Sequence, residues 1–581
     1  MPTGLTIFRN RRSAGCFLFL LATLVVVVPC GAQVSGQDMQ SSRLGVPYDW
    51  SHHYVVFSTS RSAEVMAAAR KDIRYWQQKV RMEPQTWDSE PTLITKTKRV
   101  DWSVNLGGAG SMLAAGMYPA KYSFNVNAAP DCINDYVVFA LDVAGNGSQA
   151  TIVAYNNLYT NSTGTGFCAG TGPTVKWAYN TGGAINTSPT LSTDGRKVAW
   201  VASANPPVLH VLTIGTTGSN GTSVTSPAVA GTGNNAVDTA LSYGSVGDTR
   251  SSPFVDYTDD VAYVAADDGN IHKFTAVFRG TPAEVTTGDW PFQGIDGANH
   301  ALSGPIFDYV SKNLFYADDK GSFGYIREIG STVGVCIGNP APPCLGQDTY
   351  ALTGGSHFIV DAPIVDSILQ KVYVFLGNDD QGATGHAHVL QTDTKLTTFA
   401  PEPVFGQGGM DMFIGTFDRN YFTNPAIGFL YVCGYPTSAA ISSPVLYRIG
   451  FNSAGTMNST HDTNSLALGN TTVATRCSPM TGFYNTTASK DWIFASVQNG
   501  CTATGGGTAG CIMSLDITSG FPTAAAQGRP EASGTSGIVV DNVSSQVGAS
   551  SIYFSTLGTT TCGDGVSGGG CAVKLMQSGL N

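Results

Sequence analysis

The sequence predicts an all-β chain folded as an eight-bladed β-propeller, with seven blades as the alternative, behind a short N-terminal helical segment. Three observations predict it. A short phrase returns at a near-constant period. Each repeat carries the strand-and-turn pattern of a small antiparallel sheet. One strand ahead of the first repeat has no local partner.

The phrase is clearest at Ser251-Ser252-Pro253-Phe254-Val255-Asp256, and returns as Gly304-Pro305-Ile306-Phe307-Asp308 and Ala362-Pro363-Ile364-Val365-Asp366. Weaker copies stand at Ser188-Pro189, Asn424-Pro425, Ser478-Pro479 and Ser536-Gly537, with the faintest after Pro119. In the unit that starts at Ser252, residues 253–257 form a first strand and Val261-Ala262-Tyr263-Val264-Ala265 a second. Asp267-Asp268-Gly269-Asn270 is a tight turn, residues 271–277 form a third strand, and an irregular fourth follows. Four antiparallel strands, repeated, make the blade of a propeller. Val100-Asp101-Trp102-Ser103-Val104-Asn105-Leu106 is the strand without a partner, and the last repeat is one strand short. Residues 100–106 are therefore expected to complete the last blade, which removes an exposed sheet edge. The propeller then occupies residues 100–581.

The first 32 residues read as an export signal. Arg9, Arg11 and Arg12 precede an apolar run from Cys16 to Val28, with cleavage near Ala32. The run is too short for a comfortable membrane span, and no second one follows, so the mature chain is expected to lack a span and to be secreted or periplasmic. Residues 33–99 form an N-terminal extension with one amphipathic helix. Val65, Ala69, Ile73, Trp76 and Val80 share one face, Ser60 or Ser62 can cap the start, and Pro84 lies beyond the end. This helix is expected to pack on the propeller as a lid or buttress.

Charge narrows the function. The formal net charge of −10 becomes −13 when the three signal arginines are removed, which argues against a nucleic-acid partner. Ten of the 12 cysteines remain in the exported chain, and disulfides are expected there. Cys336/Cys344, Cys501/Cys511 and Cys562/Cys571 read as loop staples, which leaves Cys132/Cys168 and Cys433/Cys477. The blade pattern places each pair on one face, although sequence leaves the connectivity open. No C-x-x-C occurs, which disfavours a cysteine metal site or covalent c-type haem.

Ser252-Pro253-Phe254-Val255-Asp256, with Val261 to Phe274, resembles the repeat of PQQ-type, quinoprotein dehydrogenase-like propellers. Cys511-Ile512-Met513-Ser514-Leu515-Asp516 resembles the end of that repeat. The resemblance implies an eight-bladed fold and, as one alternative, a PQQ-dependent oxidoreductase. The adjacent cysteine pair typical of those enzymes is missing here, and their tryptophan-docking pattern is not evident. Asp49-Trp50-Ser51-His52-His53 also resembles the opening of secreted acidobacterial propellers.

Three successive blades carry acidic turns: Asp267-Asp268, Asp318-Asp319 and Asp379-Asp380. Their oxygens suit Ca²⁺, although Asp-Gly is also ordinary hairpin chemistry. Gly385-His386-Ala387-His388 puts two imidazoles on one side of a strand, the start of a metal site whose third ligand the sequence does not identify. No phosphate loop is present, and no catalytic residue is identifiable. The expected function is a secreted scaffold that binds a protein, glycan or cell-wall ligand at the propeller face, with no catalysis evident. A second alternative is a polysaccharide-active hydrolase or lyase whose two carboxylates come from separate blades.

Overall fold

The computed structural model describes residues 45–581 apart from 60, 83–98, 162, 165, 246–248, 294–300, 330–331, 334–343, 347–358, 380–384, 402, 437–442, 471, 487, 526, 543, 545–548 and 577–581. The expected export signal lies outside these residues.

Eight antiparallel sheets follow one another as the blades of a propeller. Blades 1 to 7 are consecutive in sequence, and their first strands begin at Ala120, Thr190, Phe254, Ile306, Ile364, Thr416 and Thr481. Blade 1 is a regular sheet, which sets aside the seven-bladed alternative. Blade 8 joins Val539–Asp541, Ser551–Ser555 and Cys571–Met576 to Arg99–Asn105, which pairs antiparallel with Cys571–Met576.

The recurring phrase has a physical basis. In blades 1 to 5 and 7 its proline sits at the start of a first strand, where a missing N–H costs no ladder bond, whereas Pro425 of the expected copy Asn424-Pro425 lies in a 3-10 helix after the first strand of blade 6. Its serine ties neighbouring blades together: Ser188 N–H donates to Ser252 Oγ at 2.8 Å, and Thr190 Oγ1 donates to the Pro253 carbonyl at 2.9 Å. Its aspartate closes the turn after the strand. Asp256 Oδ1 accepts from Thr258 N–H at 2.8 Å, Asp308 Oδ2 from Ser311 N–H at 2.7 Å, and Asp366 Oδ1 from Ile368 N–H at 2.9 Å. These are side-chain turns of the kind Asp favours. Second strands such as Val261–Ala265 are buried along their whole length, because blades cover both of their faces.

Among the described residues, four disulfides are formed. Cys132–Cys168 lies within blade 1, Cys433–Cys477 joins blade 6 to the loop before blade 7, and Cys501–Cys511 and Cys562–Cys571 close hairpin loops of blades 7 and 8. They fit an oxidising compartment. The expected Cys336–Cys344 pair involves Cys336, which lies outside the described residues. Among the described residues, no helix is long and apolar enough to cross a membrane.

The N-terminal extension does more than buttress the ring. Val46–Tyr48 pairs antiparallel with the innermost strand of blade 1, and Val55–Val56 pairs parallel with that of blade 5. Blades 1 and 5 stand opposite in an eight-membered ring, so residues 46–56 form a strap across the axis. The strap turns through a 3-10 helix, Trp50–His53, capped by Asp49, whose side chain accepts from Ser51 N–H at 3.0 Å. Burial pushes the Asp49 carboxyl up, but hydrogen bonding and charge from His52, with Arg74 beside it, win and hold it at about 2.

Two helices follow where the periodicity predicts one: α1 (Ala63–Ala69), capped by Ser62, and α2 (Ile73–Met82). Asp72 interrupts the run, and its Oδ1 accepts from Arg74 N–H at 3.0 Å. The buried face of α2 holds Arg74, Tyr75 and Gln77 rather than an apolar stripe. The reason is that α2 packs on backbone carbonyls. Arg74 Nη2 donates to the Val255 carbonyl at 3.0 Å, and Gln77 donates to that of Pro47.

Candidate functional site

First strands run from an upper face, where they begin, to a lower face, where they end. The lower face carries the helices: Lys71 O accepts from Thr258 Oγ1 at 3.1 Å, and Arg81 O accepts from Asn542 Nδ2 at 3.1 Å. The strap fills the axis behind them. Trp50 Nε1 donates to the Pro253 carbonyl at 3.2 Å. Tyr54 donates its hydroxyl to Asp361 Oδ1 at 3.0 Å, and His53 stacks on Tyr118 at 4.5 Å. The Val365 and Ser367 amides of blade 5 donate to the Tyr54 and Val56 carbonyls at 2.7 and 2.9 Å.

Asp361 is the titrating anchor of this strap. Burial raises its carboxyl to about 7, against hydrogen bonds from Ile414 N–H and Tyr54 that lower it. A group raised above its unfolded value of 3.8 stabilises the fold fully at low pH and loses that contribution as pH rises toward 7. Ionising this one group between about pH 5 and pH 8 is expected to cost about 2–3 kcal/mol. Asp491 and Glu531, each raised to about 7 by burial, act in the same direction. Denaturant unfolding across this range is therefore expected to show falling stability, with a shallower fall in Asp361→Asn. An equal slope in the variant would contradict the assignment.

Among the described residues, two of the concavities border the axis and could hold a ligand. One lies on the lower face between the strap, α2 and blades 5–7, near Arg81, Arg419, Tyr484 and Asp491, with a volume of about 120 Å³. Asp491 Oδ2 there accepts from Arg419 N–H at 2.7 Å, so its carboxylate is engaged by backbone. The other is a depression of about 430 Å³ on the upper face, lined by described residues of the loops that lead into blades 3–6. Ligand pockets commonly span roughly 300–1,000 Å³, which favours the second.

The upper depression carries both signs of charge, with Arg250, Asp267, Asp319 and Asp411 in its lining beside the apolar Leu302, Ile359 and Val360. Arg476 pairs with Asp411. Burial and the nearby Arg250 charge lower the Arg476 pKa. Asp319 is held by a two-way link, accepting from Ala301 N–H at 3.1 Å while its own N–H donates to the Ala301 carbonyl at 3.0 Å.

The acidic turns are thus divided. Asp267 and Asp319 reach the depression. Asp268 accepts from Ser245 N–H at 2.8 Å and Asn270 N–H at 3.0 Å, and Asp318 accepts from Ser322 N–H at 2.6 Å. Those two carboxylates serve their own loops. Asp379 turns to His386 and His388 instead, and Asp380 lies outside the described residues. The five described aspartates of those turns supply no group of three within ligand reach of one another. The third partner of the two histidines is Asp379, seven positions before His386, a distance in sequence that no short motif signals. A hydrolase-like spacing, Gly565-x-Ser567-x-Gly569, sits in the exposed loop closed by Cys562–Cys571. Ser567 Oγ there meets Thr561 Oγ1 at 2.7 Å, far in kind from a strand-to-helix elbow.

On the strap side of the axis Trp50, Tyr54 and Tyr118 are packed with no more than 3% of each exposed, and these residues do not fit a flat, carboxylate-rich cofactor of the PQQ type there.

No family profile matches this sequence, and no curated protein does. Solved structures resemble the chain at low identity. BamB from Moraxella catarrhalis is 11% identical with a TM-score of 0.38, covering 83% of this chain and 98% of that one. Sqt1 from Chaetomium thermophilum is 10% identical with a TM-score of 0.45, over 83% and 98%. Dihydro-heme d1 dehydrogenase NirN is 10% identical with a TM-score of 0.38, over 78% and 76%.

Proposed function

We propose that this protein is an exported propeller scaffold that binds a protein partner through the upper depression, without catalysis. One observation carries the reading: among the described residues, the strap and helices occupy the lower mouth, and a mixed-charge depression lies above. Loops on a rigid scaffold are the usual place for recognition. Arg250, Asp267, Asp319 and Asp411 offer both signs of charge, which suits a peptide segment carrying both. A glycan would more often be met by stacking aromatic rings, and the described lining residues include none. The four disulfides and the N-terminal Arg-rich and apolar sequence support export, with cleavage near Ala32.

Site-specific photocrosslinking in the native host tests this. A crosslinker at residue 250 or 319 is expected to capture a discrete protein, and one at residue 71 on the lower face is not. The charge reversal Arg250→Glu should reduce capture at 319 by roughly tenfold or more while leaving the thermal midpoint unchanged. Capture from residue 71 alone, or capture indifferent to Arg250→Glu, would move the function elsewhere. Dye-linked substrate oxidation on addition of PQQ and Ca²⁺ would overturn the non-catalytic reading.

A further inference from the structure

We propose that Asp379, His386 and His388 bind a divalent transition cation, with Zn²⁺ the best match, on the upper rim of blade 5. The reading stands on its own geometry and does not depend on the binding role proposed above. The three residues come from one hairpin. His386 and His388 open the third strand of the blade, His386–Asp393, and Asp379 follows its second strand, Lys371–Leu376. Asp379 Oδ2 lies 2.6 Å from His388 Nε2 and 3.1 Å from His386 Nδ1. All three ligand atoms lie within 4.8 Å of one another. Ligands at about 2.0–2.1 Å from a tetrahedral Zn²⁺ are about 3.3 Å apart, so an ion needs only small side-chain shifts to sit among them.

Residues two apart on a strand share a side. The neighbouring fourth strand is bulged beside them, where three steps from Val404 to Gln407 oppose the two from His386 to His388. Such bulges recur beside functional sites. The two imidazole rings end at 87° to each other with centroids 6.1 Å apart. Asp379 is fixed from behind, because its Oδ1 accepts from His386 N–H at 2.6 Å.

Ligand chemistry selects the ion. Two imidazoles and one carboxylate suit Zn²⁺ and its transition-metal neighbours, whereas Ca²⁺ and Mg²⁺ take oxygen ligands. Accessibility selects the kind of site. The side chains of Asp379 and His388 are 2% and 5% exposed, while His386 is 40% exposed. An ion would enter past His386 and keep a position for water or for a side chain of a bound partner, as in three-ligand zinc sites.

The test uses the whole purified chain, stripped with a chelator and titrated with Zn²⁺ by calorimetry, then with Co²⁺ for its visible ligand-field bands. One equivalent per chain is expected, with a higher thermal midpoint in Zn²⁺ and no displacement by excess Ca²⁺. His386→Ala, at a half-exposed position that should leave the fold intact, is expected to weaken binding by at least about tenfold. His388→Gln should do the same and remove the Co²⁺ bands. No saturable binding to the unaltered chain would overturn the site, leaving a hydrogen-bonded Asp–His cluster. Equal affinity and stoichiometry in both variants would overturn it as well.

Discussion

Asp101→Ala is expected to destabilise the protein by about 3–5 kcal/mol, because it leaves the Lys574 ammonium buried without its carboxylate. The pair sits where the ring closes. Lys574 lies on the last strand of blade 8 and Asp101 on the strand that completes it, 2.9 Å apart and 0% and 2% exposed. A register shift between Val100 and Trp102 leaves Asp101 as the extra residue of a bulge, which turns its side chain into the seam. A second buried pair, Lys121–Asp541 at 3.0 Å, joins the first strands of blades 1 and 8. The Tyr159 ring stands between the two ammonium groups, at 5.7 and 5.8 Å. Burial lowers the Lys574 pKa against the nearby Asp101 and Asp541 charges, so losing Asp101 tips that balance further. Replacing both partners, Asp101→Leu with Lys574→Met, should recover much of the loss, since a buried ion pair is often no better than apolar packing. Denaturant midpoints for the single and double variants measure this. A loss below about 1 kcal/mol in the single variant would mean that the pair is hydrated.

Trp50→Ala is expected to cost a further large amount, about 3–5 kcal/mol, and to loosen the strap. The indole is 3% exposed. It meets the Tyr54 ring at 5.2 Å and the Phe254 ring at 6.5 Å, both edge-on. It also rests against Gly304, where an added Cβ would lie 3.0 Å from Cη2. Removing it opens a cavity on the axis and leaves the Pro253 carbonyl without the indole N–H. Trp50→Phe keeps most of the apolar contact and should lose only the hydrogen bond, about 1 kcal/mol, and some packing. Thermal unfolding with limited proteolysis checks both, and new cleavage within residues 46–82 is expected for the alanine variant alone. A stable Trp50→Ala with no new cleavage would show that the strap does not brace the ring.

The blades were legible because their signal repeats. Proline at the start of the first strand recurs in most blades and a turn-closing aspartate in blades 3, 4 and 5, so the phrase survives even where the rest of the unit diverges. The closing strand was legible because residues 102–106 alternate apolar and polar and have nothing beside them to pair with. The strap was not legible. Val46–Tyr48 and Val55–Val56 are three and two residues long, too short to show a period. Their partners lie on opposite sides of a ring that sequence describes only as a list. The helical stretch misled for a different reason. Its apolar spacing is real, but α2 packs on carbonyl groups, so the buried face holds Arg74 and Gln77. The acidic turns showed where the rim lies without showing their roles. Asp268 and Asp319 differ by which backbone amide each meets, and that is set by the loop leading into the next blade. Asp379 reaches its histidines from the connection between two strands, seven positions before His386, which no short motif signals.

Hydrogen exchange of the Val365 and Ser367 amides tests most directly whether the chain seals its own lower mouth. These two N–H groups point away from the second strand of blade 5 and find their acceptors only in Tyr54 and Val56 of the strap. With the strap in place across the axis, both should exchange about as slowly as the core amides of the blades. Exchange at the rate of open loops, with the neighbouring core amides still protected, would mean that the channel is open and that the case for the upper depression as the sole binding face is lost.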